Sequence, residues 1–433
     1  MSARAPCALA LGLALACGGR EAPPNVILVS IDTLRADHVG LYGYERDTTP
    51  FLDRFAEQAL VFERAFTTCP WTLVAHMTML TGLFPAQHGV VADQLALAED
   101  VPLLAERLSA AGYQTLALYY ASWIHERYGF ARGFDVFRAH GSAEEAGALA
   151  REELGRLDRT RPFFLFYHLF DVHNGAMSTG EHMIYPSPEP FQSMFMPDAL
   201  EKLPKLPPDV IWESENLLTA EQLAALVALY DGGIRHVDTR LEELFAWLEQ
   251  EGLLANTLVI VTSDHGESLG QRGKLTGHGE LAQEGLHVPL IVRHPRGQGA
   301  GTRVAEIVHL GDIVPTVLEV ADLPRDPRLP GLSLLGRLPP ERVVTGTYLP
   351  QEFAVRWPEK LIRQKGVACV RLDLAADPQE LDLQQVSGKR FDELARQAFD
   401  PALRFPAPLT LGELPEADRA ALRALGYGGE EDR

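Results

Sequence analysis

Short runs of apolar, often β-branched residues recur along the chain, separated by amphipathic stretches. Such runs are typical of strands buried on both faces of a parallel sheet. The pattern predicts strands at 25–31, 114–120, 162–170, 256–263 and 288–292, the last being the final core strand. It predicts helices from Thr49, at 103–111, 143–157 and 219–251, and from Asp312. In the first helix the expected apolar positions are Phe51, Leu52, Phe55 and Leu60. The alternation indicates a doubly wound α/β fold.

Breaks in this pattern divide the chain. Between about 174 and 216 the periodicity is lost among closely spaced prolines. Loops of this length are usually functional or disordered, and we interpret this one as a lid. A Pro- and Gly-rich segment at 324–340 predicts a linker. We therefore expect a leader at 1–22, a main domain at 23–335, and a C-terminal subdomain with an acidic tail at 336–433.

Size and charge exclude some classes of partner. The 433 residues are 46% apolar, which is enough for a large core. The formal net charge of -20 is not offset by any basic cluster, so we expect no nucleic-acid partner. A small anionic substrate remains compatible with this charge if a metal ion and histidines make its site locally positive.

The first residues resemble an export signal. Arg4 precedes an apolar run at 7–16 that is too short to span a bilayer, and Cys17 follows directly. Cys17 predicts the lipid anchor of a bacterial lipoprotein. We therefore expect an exported protein, either in the bacterial periplasm or anchored to a membrane. After removal of the signal, Cys69 and Cys369 add too few thiols for a disulfide framework.

Two carboxylates are predicted to meet at one edge of the sheet. Asp32 follows one predicted strand and Asp264 follows another, and open α/β sheets bind ligands at the carboxyl ends of their strands. With His265 they form a candidate divalent-cation site of hard oxygen donors and one imidazole. Taken singly, each aspartate could equally be a helix cap or a turn residue. Their occurrence together with a hydroxyl at a helix start favours a functional site.

Several motifs make the chain similar to sulfatases of the alkaline-phosphatase superfamily. The matching segments are 25–38, 49–53, 80–82, 88–90, 112–115, 132–135, 262–267, 284–290 and 372–380. The resemblance implies an α/β sandwich, in which a large, mostly parallel central sheet is flanked by helices and joined by a small C-terminal antiparallel sheet. It also implies one divalent metal ion, calcium in this family, and a nucleophile at the N-terminus of a helix.

The chain departs from the sulfatase pattern at the nucleophile. Sulfatases usually carry Cys-x-Pro-Ser-Arg, or Ser in first place, and the first residue becomes a formylglycine. Counted back from Thr81, that position is Thr72, and the segment to His76 lacks the motif. Cys69 is out of register and fits a small buried residue better. We expect Thr72 to be the nucleophile and a metal ligand, because metal coordination activates a hydroxyl. His76 replaces the arginine, and either stabilises negative charge or packs.

Histidines replace or match other residues of the family's site. Tyr120 and Ser122 stand where sulfatases place a lysine and a histidine. His173 matches the substrate-side histidine, and His278 stands where a lysine contacts sulfate. Either imidazole could bind an oxyanion or protonate a leaving group. His265 occupies an Asn/His ligand position, so manganese or zinc becomes an alternative to calcium.

The resemblance and its departures lead to three functional hypotheses. The first is an exported, metal-dependent hydrolase of anionic esters, with a sulfate ester as the expected substrate. The second is a phosphodiester or phosphomonoester hydrolase or a phosphotransferase, which Thr72 makes a serious alternative. The third is a catalytically silent binding lipoprotein that keeps the fold. The expected partner is a small anionic ester, or a sulfated or phosphorylated glycan or lipid, and the oligomeric state is left open.

Overall fold

A large mixed β-sheet lies at the centre of the protein. The computed structural model describes residues 22–120, 123–174, 185, 187–203, 218–273, 276–364, 366–400, 403 and 405–412. The strands are β1 (Asn25–Ile31), β2 (Leu60–Phe66), β3 (Leu95–Ala96), β4 (Gln114–Tyr120), β5 (Val136–His140), β6 (Phe163–Leu169), β7 (Thr257–Thr262), β8 (His287–Val288), β9 (Leu290–Arg293), β10 (Thr302–His309), β11 (Val344–Tyr348), β12 (Gln351–Arg356), β13 (Glu359–Gln364), β14 (Ala368–Asp373), β15 (Gln384–Gln385) and β16 (Leu409–Thr410).

The order of the large sheet is β10-β2-β9-β7-β1-β6-β4-β5, and β8 pairs with β2 at the side. Strand β1 is central and runs parallel to both β6 and β7. Only the β8–β9 segment reverses direction, since β9 is antiparallel to β7 and to β2. The prediction of a mostly parallel central sheet is confirmed.

Helices cover both faces of this sheet. They are α1 (Pro50–Phe55), α2 (Thr72–Thr81), α3 (Pro85–His88), α4 (Leu104–Ala110), α5 (Ala143–Gly155), α6 (Ala199–Lys202), α7 (Ala220–Gln250), α8 (Gln283–Leu286), α9 (Ile313–Val320) and α10 (Gly388–Ala395). Short 3₁₀ turns lie at Ala36–His38, Gly40–Tyr42, Ala56–Gln58, Glu126–Tyr128, Gln271–Gly273 and Leu310–Asp312.

Alternate residues of β1 show how the sandwich is built. Val26 and Leu28 belong to a hydrophobic cluster with α2, α4 and α9, whereas Ile27 and Val29 belong to a second cluster with α1, α5 and α7. All four side chains are buried. The apolar run is continuous because neither face of the strand meets water.

The small C-terminal sheet is also confirmed. Strands β11 to β15 form an antiparallel meander in chain order, and α10 packs against β12 and β13. Further along, β16 returns to pair with β3 of the main domain. The domain limits at 22, 335 and 433 remain predictions.

Proline and charge explain where the predicted elements were wrong. The strand expected at 288–292 is split at Pro289, which has no N–H to donate to a ladder, and it is followed by β10. Leu60, expected in the first helix, begins β2 instead. Strand β2 contains Glu63 and Arg64, while β5 and β10 are partly exposed edge strands, so none of the three has a continuous apolar pattern.

Some predictions concern residues outside the described ranges. These are the export signal, the lipid anchor at Cys17, Ser122, the acidic tail and most of the segment interpreted as a lid. Within the described ranges, no helix has the length and apolar character that crossing a bilayer would require.

Candidate active site

The two predicted metal-binding aspartates meet at the carboxyl edge of the sheet. Ser30 and Thr262 are register partners in the parallel pair β1–β7, and each aspartate follows two residues later. Asp32, Asp264 and the adjacent His265 are completely buried. Parallel pairing of the two strands therefore brings together side chains that are far apart in sequence.

Open ligand atoms converge within this group. Asp264 Oδ1 accepts from the N–H groups of Thr33 (3.3 Å) and His265 (2.9 Å). Asp264 Oδ2 and Asp32 Oδ1 are buried without a hydrogen-bond partner. His265 donates Nδ1–H to the Gly266 carbonyl at 2.9 Å, which leaves a lone pair on Nε2. That nitrogen lies 3.4 Å from Asp264 Oδ2 and 3.9 Å from Asp32 Oδ1.

This donor set fits a divalent cation. Burial raises the pKa of Asp32 well above its usual value, and nearby Asp264 and Glu267 raise it further. Burial also raises the pKa of Asp264 and lowers that of His265 to about 4, so His265 is neutral. Two buried carboxylates with open oxygens need a cation to be ionised together, and a neutral imidazole with a fixed tautomer is a ready ligand.

Thr72 lies beside these groups. It is the first residue of α2, directly after the extended residue Trp71. Its Oγ1 is 3.3 Å from Nε2 of His265, and its hydroxyl acts to lower the pKa of the neighbouring Asp32 carboxyl. The N-terminus of a helix favours negative charge because its first N–H groups have no partner within the helix. The Thr72 hydroxyl thus lies at the start of a helix and beside the candidate metal ligands.

His76 lies one turn further along α2 and is fully buried. Its Nδ1–H donates to the carbonyl of Thr72 at 2.8 Å, so Nε2 accepts from the Ser30 hydroxyl at 2.9 Å. Nδ1 is also 3.6 Å from Asp264 Oδ2. Burial lowers the pKa of His76, although Asp264 opposes this shift. This geometry favours an orienting role for a neutral His76.

The sequence reasoning missed His168, which lies on β6. Its Nδ1 accepts from the Tyr120 N–H at 3.3 Å, so its Nε2–H donates to Asp32 Oδ2 at 3.1 Å. The bond fixes the orientation of the Asp32 carboxylate. The available signal was a polar residue in a strand whose other residues are apolar or aromatic.

The two predicted substrate-side histidines are brought together. The His278 ring lies 4.5 Å from that of His265 and 5.6 Å from that of His173, between centroids. His278 donates Nδ1–H to the carbonyl of Pro70 at 3.0 Å. His173 stacks on Phe170, with a centroid distance of 4.2 Å. Burial, followed by the nearby His278 and His265, lowers the pKa of His173 well below its usual value.

Glu267 is the last residue of the matching segment 262–267, and the sequence predicted no role for it. Its side chain is completely buried, and burial raises its pKa to about 8 against the hydrogen bonds that it accepts. Tyr185 donates to its Oε2 at 2.7 Å, and the Gly277 N–H donates to its Oε1 at 3.2 Å. Glu267 therefore touches the segment that carries His278.

Cys69 has the environment of a structural residue. Its thiol is buried, and burial raises its pKa well above the usual value. Because the thiolate is the nucleophilic form, this environment opposes reactivity.

Two other groups of metal-ligating side chains occur in the described ranges. One consists of His76, His168 and Asp264 and shares Asp264 with the candidate site. The other joins Glu144, Asp171 and His236, where His236 Nε2 and Glu144 Oε1 are 2.6 Å apart in a hydrogen bond between α7 and α5. The set Asp32, Asp264 and His265, with Thr72 beside it, fits a metal ion better because of its open oxygens.

The protein has a mixed sheet with helices on both faces. Carboxylates, an imidazole and a hydroxyl at a helix start meet at the ends of its strands. These features define an α/β fold of the alkaline-phosphatase type. Residues 24–323 match the family model described as Sulfatase. The chain therefore belongs to the sulfatase family of hydrolases, which act on ester bonds. Members typically use a divalent metal ion, and the described residues include a group able to hold one.

Relatives and solved structures agree with this assignment. The chain is 24% identical over 364 residues to an ulvan-active sulfatase of Formosa agariphila, covering 80% of this chain but 66% of that protein. It is 24% identical over 382 residues to an arylsulfatase of Clostridium perfringens, covering 72% of this chain and 77% of that protein. The phosphonate monoester hydrolase of Agrobacterium radiobacter has the same fold, with a TM-score of 0.70, 20% identity, and coverage of 90% of this chain and 100% of that one.

Proposed function

We propose that the protein hydrolyses an anionic ester and that the Thr72 hydroxyl is its nucleophile. The observation that carries the proposal is the position of Thr72 Oγ1, 3.3 Å from Nε2 of His265 and beside two buried carboxylates with open oxygens. Asp32, Asp264 and His265 would hold the metal ion together with Thr72. When bound, the ion would polarise the ester and lower the proton affinity of the hydroxyl.

In this proposal the reaction has two displacements. Thr72 Oγ1 forms a bond to sulfur or phosphorus while the bond to the leaving alcohol oxygen breaks, and that oxygen takes up a proton. Water then attacks the same centre and releases Thr72 and the sulfate, phosphate or phosphonate product. Since Nδ1 of His278 donates to Pro70, Nε2 is the atom at which this imidazole would exchange a proton. His173 would contact the non-bridging oxygens.

The identity of residue 72 favours phosphorus over sulfur at the reacting centre. A formylglycine hydrate can expel sulfate by breaking its own C–O bond, and a threonine ester cannot. The second displacement must therefore occur at the central atom, which is ordinary chemistry for a phosphoryl group. The similarity in fold to phosphonate monoester hydrolases is compatible with this reading. A sulfate ester is the second candidate, because the curated relatives are sulfatases.

A substrate panel separates these candidates. Aryl sulfate, phosphate monoester, phosphodiester and phosphonate monoester substrates would be assayed with calcium, manganese and zinc in turn. We expect turnover of a phosphorus ester that is lost in Thr72→Val, which keeps the shape but removes the hydroxyl, and retained in Cys69→Ser. Turnover that survives Thr72→Val but disappears in Cys69→Ser would overturn the assignment. Absence of all turnover despite a bound metal ion would favour the silent binding protein.

The natural substrate is proposed only as a class. One solved structure of the same fold, with a TM-score of 0.69 and 20% identity, covers 86% of this chain and 96% of that one and holds its substrate D-glucosamine-2-N,6-O-disulfate. A sulfated or phosphorylated glycan or lipid is therefore the class that we propose to test first. Manganese or zinc is the proposed ion because an imidazole belongs to the ligand set, with calcium as the alternative.

Export is part of the proposal. It is supported by the apolar run before Cys17, and one relative is named an extracellular sulfatase homolog, in Drosophila melanogaster. Cell fractionation of the full chain and of Cys17→Ala is the test. We expect wild type in the membrane fraction and the variant in the soluble exported fraction. Cytoplasmic recovery of both would contradict export.

A further inference from the structure

Two segments carry the substrate-side histidines. The first follows β6 and contains His173, and the second lies between the 3₁₀ turn at 271–273 and α8 and contains His278. Nothing in the chain connectivity joins them, yet their rings are 5.6 Å apart. Some contact must fix their spacing if both are to engage one transferring group.

The Glu267 side chain lies at the junction of these segments. Its carboxylate accepts from the N–H of Gly277, the residue before His278, at 3.2 Å. The N–H of Asn174, the residue after His173, lies close enough to this carboxylate to favour its charged form. The Glu267 carboxylate is thus a neighbour of the backbone next to each of the two histidines.

A second layer of bonds supports the same junction. Asn174 donates from Nδ2 to the Thr276 hydroxyl at 2.7 Å, and Ser268 donates its N–H to the Gly277 carbonyl at 2.7 Å. Gly277 has a φ of 102°, a left-handed conformation that favours glycine. The His278 segment is therefore tied to the neighbourhood of Glu267 by backbone as well as side-chain bonds.

The Glu267 carboxylate is itself held in place. Tyr185 donates to its Oε2 at 2.7 Å, and the Arg35 guanidinium donates to the Glu267 carbonyl at 3.0 Å. The ring of Tyr185 packs edge-on against that of Tyr230, whose hydroxyl donates to the Thr33 carbonyl at 2.7 Å. Glu267 is thus connected to the end of β1, next to Asp32.

We propose that Glu267 is a positioning residue that fixes His173 and His278 relative to each other at the site of Thr72. This inference rests on the proposed function of that site and adds a residue to it. Glu267 itself neither forms a bond to the substrate nor transfers a proton. Its carboxylate has two acceptor oxygens that can bind donors from different segments, whereas a side-chain amide has only one acceptor oxygen.

A double-mutant cycle tests this role. The variants are Glu267→Gln and Glu267→Ala, each in wild type and in the His173→Ala/His278→Ala background, with kcat and KM measured for the ester that wild type turns over. Gln keeps one acceptor oxygen, so we expect the smaller loss in Glu267→Gln. In the wild-type background, kcat/KM should fall about tenfold in Glu267→Gln and about a hundredfold in Glu267→Ala. If Glu267 acts through the histidines, its replacement should cost little more once they are absent.

Controls separate positioning from general damage. Glu284→Gln alters a half-buried carboxylate that pairs with Arg272, and it should leave kcat/KM near the wild-type value. Metal content and thermal unfolding of every variant are measured in parallel. The inference would be overturned if Glu267→Ala lowered kcat/KM by the same factor with and without the two histidines. A loss of metal ion in Glu267→Gln would also overturn it. A wild type that turns over no ester would instead overturn the proposed function, and binding of inorganic phosphate by calorimetry would then take the place of kcat/KM.

Discussion

The hydroxyl of Thr72 lies 3.3 Å from Nε2 of His265, although the two residues are 193 positions apart in the chain. One residue starts a helix, and the other follows a central strand. The contact unites a nucleophile candidate with a metal-ligand candidate.

Removal of one metal ligand should remove the ion. Asp264→Asn removes a charged oxygen ligand, and His265→Ala removes the imidazole nitrogen ligand. Because the site has few ligands, we expect metal affinity to fall by at least about tenfold to a hundredfold in each variant. Elemental analysis after dialysis should give one divalent ion per chain for wild type and much less for both variants. His236→Gln changes a buried histidine elsewhere and should keep the ion. Wild-type content in Asp264→Asn would refute the ligand assignment.

Each substrate-side histidine should affect turnover without affecting the metal ion. We expect His173→Gln and His278→Gln to reduce kcat by about 10²–10⁴-fold, the range typical of lost proton transfer. Steady-state kinetics together with metal analysis is the measurement. Unchanged kcat in both variants would mean that the two rings only pack.

Cys69 should be inert. Because its thiol is buried and has a raised pKa, a thiol reagent should modify it only after unfolding. Mass spectrometry of native and denatured protein after alkylation gives the comparison. Rapid labelling of native Cys69 with loss of activity would revive the cysteine as a functional group.

The buried ion pair of Asp312 and Arg342 should stabilise the fold at neutral pH and lose this contribution at acidic pH. Burial alone would raise the pKa of Asp312, but Arg342, with Nη1 at 2.8 Å and Nη2 at 2.7 Å from its carboxylate, holds that pKa below its usual value. A carboxyl with a depressed pKa stabilises the fold above the unfolded pKa, and the contribution is lost as the pH falls.

Asp312→Asn leaves the Arg342 charge buried without a counter-ion. We expect a loss of about 3–5 kcal/mol in the free energy of unfolding at neutral pH. The difference from wild type should shrink below about pH 4, where the unfolded carboxyl becomes protonated. Glu242→Gln, in an exposed pair with Arg54, should cost about 1 kcal/mol or less. Urea unfolding across this pH range is the measurement, and a pH-independent difference would contradict the account.

The elements that the sequence predicted well are those with a single dominant signal. Strand β1 is apolar on both faces, and α7 begins after Thr219, whose hydroxyl accepts from the Gln222 N–H. Strands β2, β5 and β10 were missed because charged residues interrupt them or because they form sheet edges. Pro289 divides a run that reads as one strand.

The site was predictable where strand ends supply ligands and unpredictable where contacts depend on packing. Asp32 and Asp264 could be expected to meet because both follow parallel strands. The bond from His168 to Asp32 and the contacts of Glu267 with two separate segments depend on side-chain orientations across the sheet edge. No spacing in the sequence encodes them.

The most direct test of the central claim is to trap the covalent intermediate. Wild type is mixed with the ester that it turns over, quenched in acid within milliseconds, and digested for mass spectrometry of the peptide containing Thr72 and Cys69. We predict one phosphoryl or sulfuryl group on Thr72, absent in Thr72→Val. The group on Cys69, or a formylglycine in this peptide, would contradict Thr72 as the nucleophile.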